Sequence, residues 1–269
     1  RLGESVNYQS AGTVEYIYDD ERDEFYFLEV NTRLQVEHGV TEAVFGVDLV
    51  AWMVMLAGGE QPPLDENYQS RGHAMEVRIY AEDALKDFQP SPGELTEVSF
   101  PENIRLDGWV DTGTEVSPHY DPMLAKVIVH GADRAAALDN MRDALAATRL
   151  SGIATNLDYL RQILRDPAVA EGKVSTRYLE SFQYTPTAFE IVDPGTYTTV
   201  QDYPGRAGYW DIGVPPSGPM DDYAFRIGNR IVGNHASAAG LEATLVGPSL
   251  RFHSDTVIAI TGAGCDATL

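Results

Sequence analysis

Cysteine is almost missing from this chain: Cys265 is the single one among 269 residues. One thiol excludes an internal disulfide framework and any zinc site built on cysteines, and it fits a reducing cytoplasm, the expected location. Basic residues are scarce too. Lysine and arginine number 19 against 41 acids, a formal net charge of −22. Such a chain repels phosphate backbones, so general nucleic-acid binding is not expected. No apolar run approaches the ~18 residues of a membrane span, and no signal-peptide pattern is present. Neither nucleic acid nor membrane is an expected partner. Repeats with a period of roughly 20–50 residues are also absent. The remainder is ordinary for a globular protein, 43% hydrophobic and 22% charged, which rules out wholesale disorder. At ~150 residues per domain the length suggests about two domains, one of them incomplete. The chain opens at Arg1 and stops just after an apolar strand pattern, and it reads as an internal piece of something longer.

Three blocks emerge along the chain. In the first, β-rich runs at Thr13 to Tyr18 and Glu24 to Val30 flank the polar turn Asp19-Asp20-Glu21-Arg22-Asp23, which predicts a hairpin. A helix is expected after Asp48 as N-cap, with Leu49, Trp52, Met53 and Leu56 inward and an end at Gly58-Gly59. Pro62-Pro63 begins a connector to about Arg71. The second block opens on a strand, His73 to Ala81, in which Met75, Val77 and Ile79 alternate with Glu76, Arg78 and Tyr80. Further strands are expected at Leu95 to Phe100 and Lys126 to His130. Asp133 should cap a helix carrying Leu138, Met141 and Leu145 on one face. Asn156 should cap another with Leu157, Leu160 and Leu164, ended by Pro167. After Phe182 the texture turns to Gly- and Pro-rich clusters. One helix, about Asp221 to Val232, interrupts strand patterns such as Ser249 to Phe252 and Thr256 to Ile260. A boundary is expected near residues 183–189.

The hairpin carries the most chemistry. A turn centred near residue 22 sets Glu15 opposite Glu29, with Asn31 two residues further on the same face. Like charges directly opposed on a sheet are destabilising, the more so if the flanking Tyr16, Phe27 and Leu28 are buried. Two carboxylates and an amide oxygen make a hard, oxygen-only set suited to magnesium, which takes its other ligands from water and nucleotide phosphates. A hairpin whose acids simply face water would show the same pattern. Beyond Asn31 the strand phase continues through Arg33, Gln35 and Glu37 until His38-Gly39 breaks it. Arginine presents a planar fork to a small oxyanion such as bicarbonate, and a neighbouring carboxylate could take its proton. A solvated edge would also read this way.

These residues carry a resemblance. The run Phe27-Leu28-Glu29-Val30-Asn31-Thr32-Arg33-Leu34-Gln35-Val36-Glu37-His38, followed by Val40-Thr41-Glu42, resembles the active-site signature of biotin carboxylases in the ATP-grasp superfamily. Gly12-Thr13-Val14-Glu15-Tyr16 is similar to that family's preceding strand. Arg71 to Asp83 resembles the opening of its C-terminal domain, and the likeness continues through Pro90-Ser91-Pro92-Gly93, Tyr120-Asp121-Pro122-Met123 and Gly152-Ile153-Ala154-Thr155-Asn156. The resemblance implies that Glu15, Glu29 and Asn31 hold magnesium (or manganese) on ATP. It implies that Arg33, Gln35 and the backbone at Val36 hold bicarbonate, and that Glu37 is the base that lets bicarbonate attack the γ-phosphate, giving carboxyphosphate. Arg78 would bind biotin and stabilise the negative charge that develops as its ring nitrogen is carboxylated. The family's glycine-rich phosphate loop and nucleotide-contacting lysine have no counterpart in these residues, so the chain alone is expected to be inactive.

The last block resembles a different family. Asp193 to Arg206, with Val200-Gln201-Asp202-Tyr203-Pro204-Gly205, and Gly213 to Asp221 look like the start of KipA-like domains, also called allophanate-hydrolase subunit 2. A biotin carboxylase joined to this domain is similar to the urea carboxylases. There the KipA-like domain is the carboxyltransferase, moving the carboxyl group from biotin to urea to give allophanate. The implied fold class is α+β, in three parts: the C-terminal part of an ATP-grasp domain over 1–65, the biotin carboxylase C-terminal domain over 66–182, and the start of a mainly-β carboxyltransferase domain over 189–269. The implied partners are bicarbonate, urea or guanidine, and a biotin carboxyl carrier domain, with homo-oligomerisation left open. Two other readings remain: another biotin-dependent carboxylase such as an acyl-CoA carboxylase, and a KipA-like regulatory module that binds a kinase. The histidines show no ligand spacing, Cys265 reads as a packed small residue, and Gly262-Ala263-Gly264 lacks the third glycine of a dinucleotide loop.

Overall fold

The computed structural model describes residues 2–63 and 68–269. The boundary expected at 65/66, and part of the expected connector to Arg71, lie outside the described residues. Two compact units divide the chain, 1–184 and 185–269.

In the first unit, β1 (Thr13–Asp19) and β2 (Glu24–Asn31) form the antiparallel hairpin. The Asp19 carboxylate closes the turn by accepting from the backbone N–H groups of Glu21 and Arg22, both at 3.1 Å. Glu15 does face Glu29, but the register shifts between Glu15 and Tyr16. Tyr16 pairs with Phe27 and Glu15 with Glu29, which leaves Leu28 as an extra, unpaired residue. This bulge inverts the alternation of β2. Phe25 and Phe27 stand with Tyr16 and Tyr18 on one face, where their rings meet at 4.8 and 6.1 Å. Glu29 and Asn31, of the same odd parity, lie with Thr13 and Glu15 on the other. The flanks expected to be buried are open: Tyr16, Phe27 and Leu28 are all more than half exposed. Among the described residues no second layer covers this two-stranded ribbon, so its acids oppose each other in a wet setting.

The strand phase does not continue to Glu37. β2 ends at Asn31, residues 32–37 form a loop, and helix α1 (His38–Phe45) begins where a simple break was expected. Helix α2 (Leu49–Ala57) follows, with the Asp48 carboxylate accepting from the Ala51 N–H at 2.7 Å.

The core of this unit is a three-stranded antiparallel sheet of β3 (His73–Tyr80), β4 (Arg105–Gly108) and β5 (Met123–Gly131), ordered β3-β5-β4. Helix α3 (Arg134–Ala147), capped by Asp133, seals it with Leu138, Met141 and Leu145. Helix α4 (Leu157–Ile163) adds Leu157. Pro167 does not merely end α4; with Asp166 as N-cap it starts the short helix Pro167–Ala170, where a missing N–H costs nothing. The strand expected at Leu95 to Phe100 narrows to Glu97–Ser99, paired with Arg149–Ser151. Gly152 sits at φ +106°, and a Cβ there would collide with the Glu94 carbonyl, so the turn at this motif requires glycine.

The second unit pairs β6 (Phe189–Asp193) with β9 (Ser249–Phe252) and β7 (Tyr197–Gln201) with β8 (Gly240–Thr244), and holds helix α5 (Asp222–Ile231) capped by Asp221. The strand expected at Thr256 to Ile260 is irregular instead, with Val257 and Ile258 exposed. Among the described residues no neighbouring strand pairs with it. No single helix among them is long and apolar enough to cross a membrane.

Candidate active site

The Asn31 side-chain N–H donates to Glu15 Oε1 at 2.6 Å and to Glu29 Oε1 at 3.1 Å, gathering both acids about one amide. Gln35 reaches back from the loop and donates to the same Glu15 oxygen at 2.7 Å. Two amides thus screen a pair of carboxylates that would otherwise repel. An amide turned about its last torsion offers its oxygen where it now offers N–H. The resulting set of two carboxylates and an amide oxygen fits magnesium, with water and phosphate oxygens completing the shell. Among the described residues no three His, Cys, Asp or Glu side chains gather as a metal site. Any cation at this hairpin therefore depends on ligands from beyond the hairpin.

Arg33, Gln35 and Glu37 lose their strand alternation but not their company. All three line one pocket of about 180 Å³, with His38 and Thr41 from α1 and Gly12 and Thr13 from the start of β1. The loop is fixed from several sides. His38 Nδ1 lies 2.8 Å from the Gln35 carbonyl oxygen. Lys126 Nζ donates to the Val36 carbonyl at 3.0 Å. Arg78 Nη2 donates to Glu37 Oε2 at 2.7 Å. The last contact joins the expected base to the expected biotin-binding arginine, 41 positions apart. Both side chains are substantially exposed (35% and 53%), so the pair adds little to stability and its value is positional. Glu37 also occupies the N-cap position of α1 without capping it, because its carboxylate is committed to Arg78.

Beneath this surface lies a set of charges that the sequence reading missed. Glu42, 5% exposed, accepts from the Leu49 N–H and from Arg105, both at 2.6 Å. Arg105 also grips Asp107 with two prongs at 3.0 and 3.1 Å. Burial alone would push the Asp107 carboxyl up, but hydrogen bonds from Arg105 and Lys126 outweigh it and hold it below the usual carboxylate range. Glu76 contrasts with it. Burial raises its pKa against the opposing pull of Lys126 and Arg78, and its Oε2 has no hydrogen-bond partner. Gly39 lets α1 lie this close to the sheet, since a Cβ there would collide with Ile128 Cδ1. A signal for Lys126 was present in the sequence: it interrupts the apolar run Leu124-Ala125-Lys126-Val127-Ile128-Val129 in the middle of a strand.

Asn156 was expected to cap α4, and it stands at that position, but its side chain makes no capping bond. Instead its Oδ1 accepts from the Tyr80 N–H at 2.9 Å and its Nδ2 donates to the Arg78 carbonyl at 3.1 Å. The amide replaces a neighbouring strand along the stretch of β3 that presents Arg78. Asn156→Ala orphans two partly buried backbone groups and is expected to cost about 2–3 kcal/mol. It should also accelerate hydrogen exchange at the Tyr80 amide; an unchanged rate there would show that β3 is held without Asn156.

Family models divide the chain in order. Residues 1–66 match the carbamoyl-phosphate synthase L chain ATP-binding domain, 76–181 the biotin carboxylase C-terminal domain, and 212–269 the carboxyltransferase domain, subdomains A and B. A urea amidolyase of Saccharomyces cerevisiae is 56% identical over the whole chain. The chain is homologous along its whole length to the urea amidolyases and urea carboxylases. The crystal structure of the Kluyveromyces lactis urea carboxylase, also 56% identical, superposes over 97% of the chain with a TM-score of 0.84. The biotin carboxylase domain of Hydrogenobacter thermophilus 2-oxoglutarate carboxylase, solved in complex with MgADP, ADP and bicarbonate, matches over only 68% of the chain, at 39% identity and a TM-score of 0.65. The chain spans a small part of these urea carboxylase relatives: 15% of the yeast urea amidolyase and 23% of the K. lactis chain.

Proposed function

We propose that the chain is part of a biotin-dependent urea carboxylase, which uses ATP and bicarbonate to carboxylate biotin and passes the carboxyl group to urea, giving allophanate. One observation carries the acceptor. Likeness to the urea carboxylase runs across 97% of the chain, whereas likeness to a biotin carboxylase serving another acceptor covers 68%. The same observation disfavours the acyl-CoA and the purely regulatory readings.

Within that reading, Glu15, Glu29 and Asn31 hold magnesium on the nucleotide. Arg33 and Gln35 bind bicarbonate in the pocket they line, together with the backbone at Val36. Glu37 takes the bicarbonate proton as a bicarbonate oxygen attacks the γ-phosphorus of ATP, the bond to the β–γ bridging oxygen breaks and ADP leaves. Biotin, when bound, supplies the ring nitrogen that receives the carboxyl group. Arg78 would hold it, its guanidinium supplying the positive charge that offsets the negative charge developing there. Since Arg78 and Glu37 touch, the two sites are adjacent, and the activated carboxyl group has little distance to cross.

The test is ADP release by the full-length protein. Release should require bicarbonate, rise with urea, and vanish when avidin sequesters biotin. Stimulation by guanidine and not by urea would reassign the acceptor. Release indifferent to bicarbonate would overturn the reading.

A further inference from the structure

Lys126 is 7% exposed and sits in the middle of β5, the central strand of the three-stranded sheet. A buried ammonium is costly unless it is paired and hydrogen-bonded. Asp107 answers the charge at 3.1 Å, yet that carboxylate already receives both prongs of Arg105. Neutralising Asp107 therefore does not explain where the ammonium points. Its second contact does: the Val36 carbonyl, 3.0 Å away and 90 positions earlier in the chain. That oxygen belongs to the rigid peptide plane shared with the Glu37 N–H, so holding it fixes the plane from which the Glu37 side chain departs. Gln35, on the other side of Val36, is tied to Glu15. Lys126 thus anchors the loop at Val36, while Glu15 holds its Gln35 side chain and Arg78 its Glu37 side chain.

We infer that Lys126 is a positioning residue for the bicarbonate step, setting the Gln35–Glu37 loop through the Val36 carbonyl. The inference rests on the urea carboxylase reading, and the experiment separates the two. In the full-length protein, Lys126→Met should lower kcat/KM for bicarbonate by about 10–100-fold while the KM for MgATP stays within about twofold. Lys126→Arg, which keeps a charged donor of different reach, should recover part of the loss. A lysine serving only the fold would depress expression and all kinetic constants together, without singling out bicarbonate. Unchanged kcat/KM for bicarbonate in Lys126→Met, or a KM for MgATP that rises as much as that for bicarbonate, overturns the inference and leaves the reading standing. If the methionine variant does not fold, the arginine variant decides. A selective fall for bicarbonate of about threefold or more supports the inference, and none overturns it. If wild-type ATP cleavage does not respond to bicarbonate, the functional reading falls and takes this inference with it.

Discussion

Glu29→Gln in the full-length protein is expected to lower bicarbonate-dependent ATP cleavage by at least about 100-fold at moderate magnesium, with partial recovery as magnesium is raised. The expectation follows from how few protein ligands the site offers. In the proposed site, Glu15, Glu29 and Asn31 are the whole contribution of the hairpin, and a neutral amide in place of Glu29 would leave one carboxylate to balance a divalent ion. The loss cannot be ascribed to the fold. Glu29 is exposed and directly opposes Glu15, so removing its charge relieves a like-charge pair, and the variant should be as stable as the parent or slightly more so. Steady-state ADP release across a magnesium series, beside a thermal melt, measures both. Near-normal turnover at moderate magnesium would mean that the hairpin does not hold the ion.

Glu37→Gln should behave differently. Biotin carboxylation is expected to slow by about 10²–10⁴, the usual worth of a positioned base, with nucleotide affinity nearly intact. Glutamine keeps an oxygen that can accept from Arg78, and the exposed pair contributes at most about 1 kcal/mol, so loop and sheet stay in place. Nucleotide affinity by equilibrium titration and single-turnover carboxylation separate the two effects. A defect confined to ATP affinity would move Glu37 to the nucleotide site.

The sequence made some layers of this structure legible and hid others, for physical reasons. Local signals read well. The polar turn at Asp19–Asp23, the caps Asp48 and Asp133, and the alternation in β3 are each settled within a few residues by hydrogen bonds or burial along one segment. The opposition of Glu15 and Glu29 was also within reach, although by symmetric counting that does not see the bulge at Leu28. The loop 32–37 escaped because its alternating residues mimic a strand. What bends it are contacts to Lys126 and Arg78, from strands 41 to 90 positions away. Asn156 escaped for a related reason: its type and place satisfy a capping rule, while its amide is spent on a strand edge. Long-range polar contacts leave no periodic trace, whereas a lysine interrupting an apolar strand does leave one.

The extra residue at Leu28 has a bearing on how this stretch can vary. Its side chain is more than half exposed, so the identity of the residue is weakly constrained. The mismatch in length between the two strands could be evened out in two ways, and they are not equivalent. Deleting Leu28 makes Glu29 follow Phe27 directly, which keeps rings and carboxylates on opposite faces and loses only the local twist. Adding a residue to β1 between Glu15 and Tyr16 pairs Leu28 instead, and then Phe25, Phe27, Glu29 and Asn31 all fall on one face with Glu15 and Tyr16. The aromatic rings would crowd the carboxylates where a cation needs room. Among viable descendants, losses at the bulge should therefore outnumber gains opposite it. What inheritance must guard here is a parity between two strands, a property that belongs to no single residue.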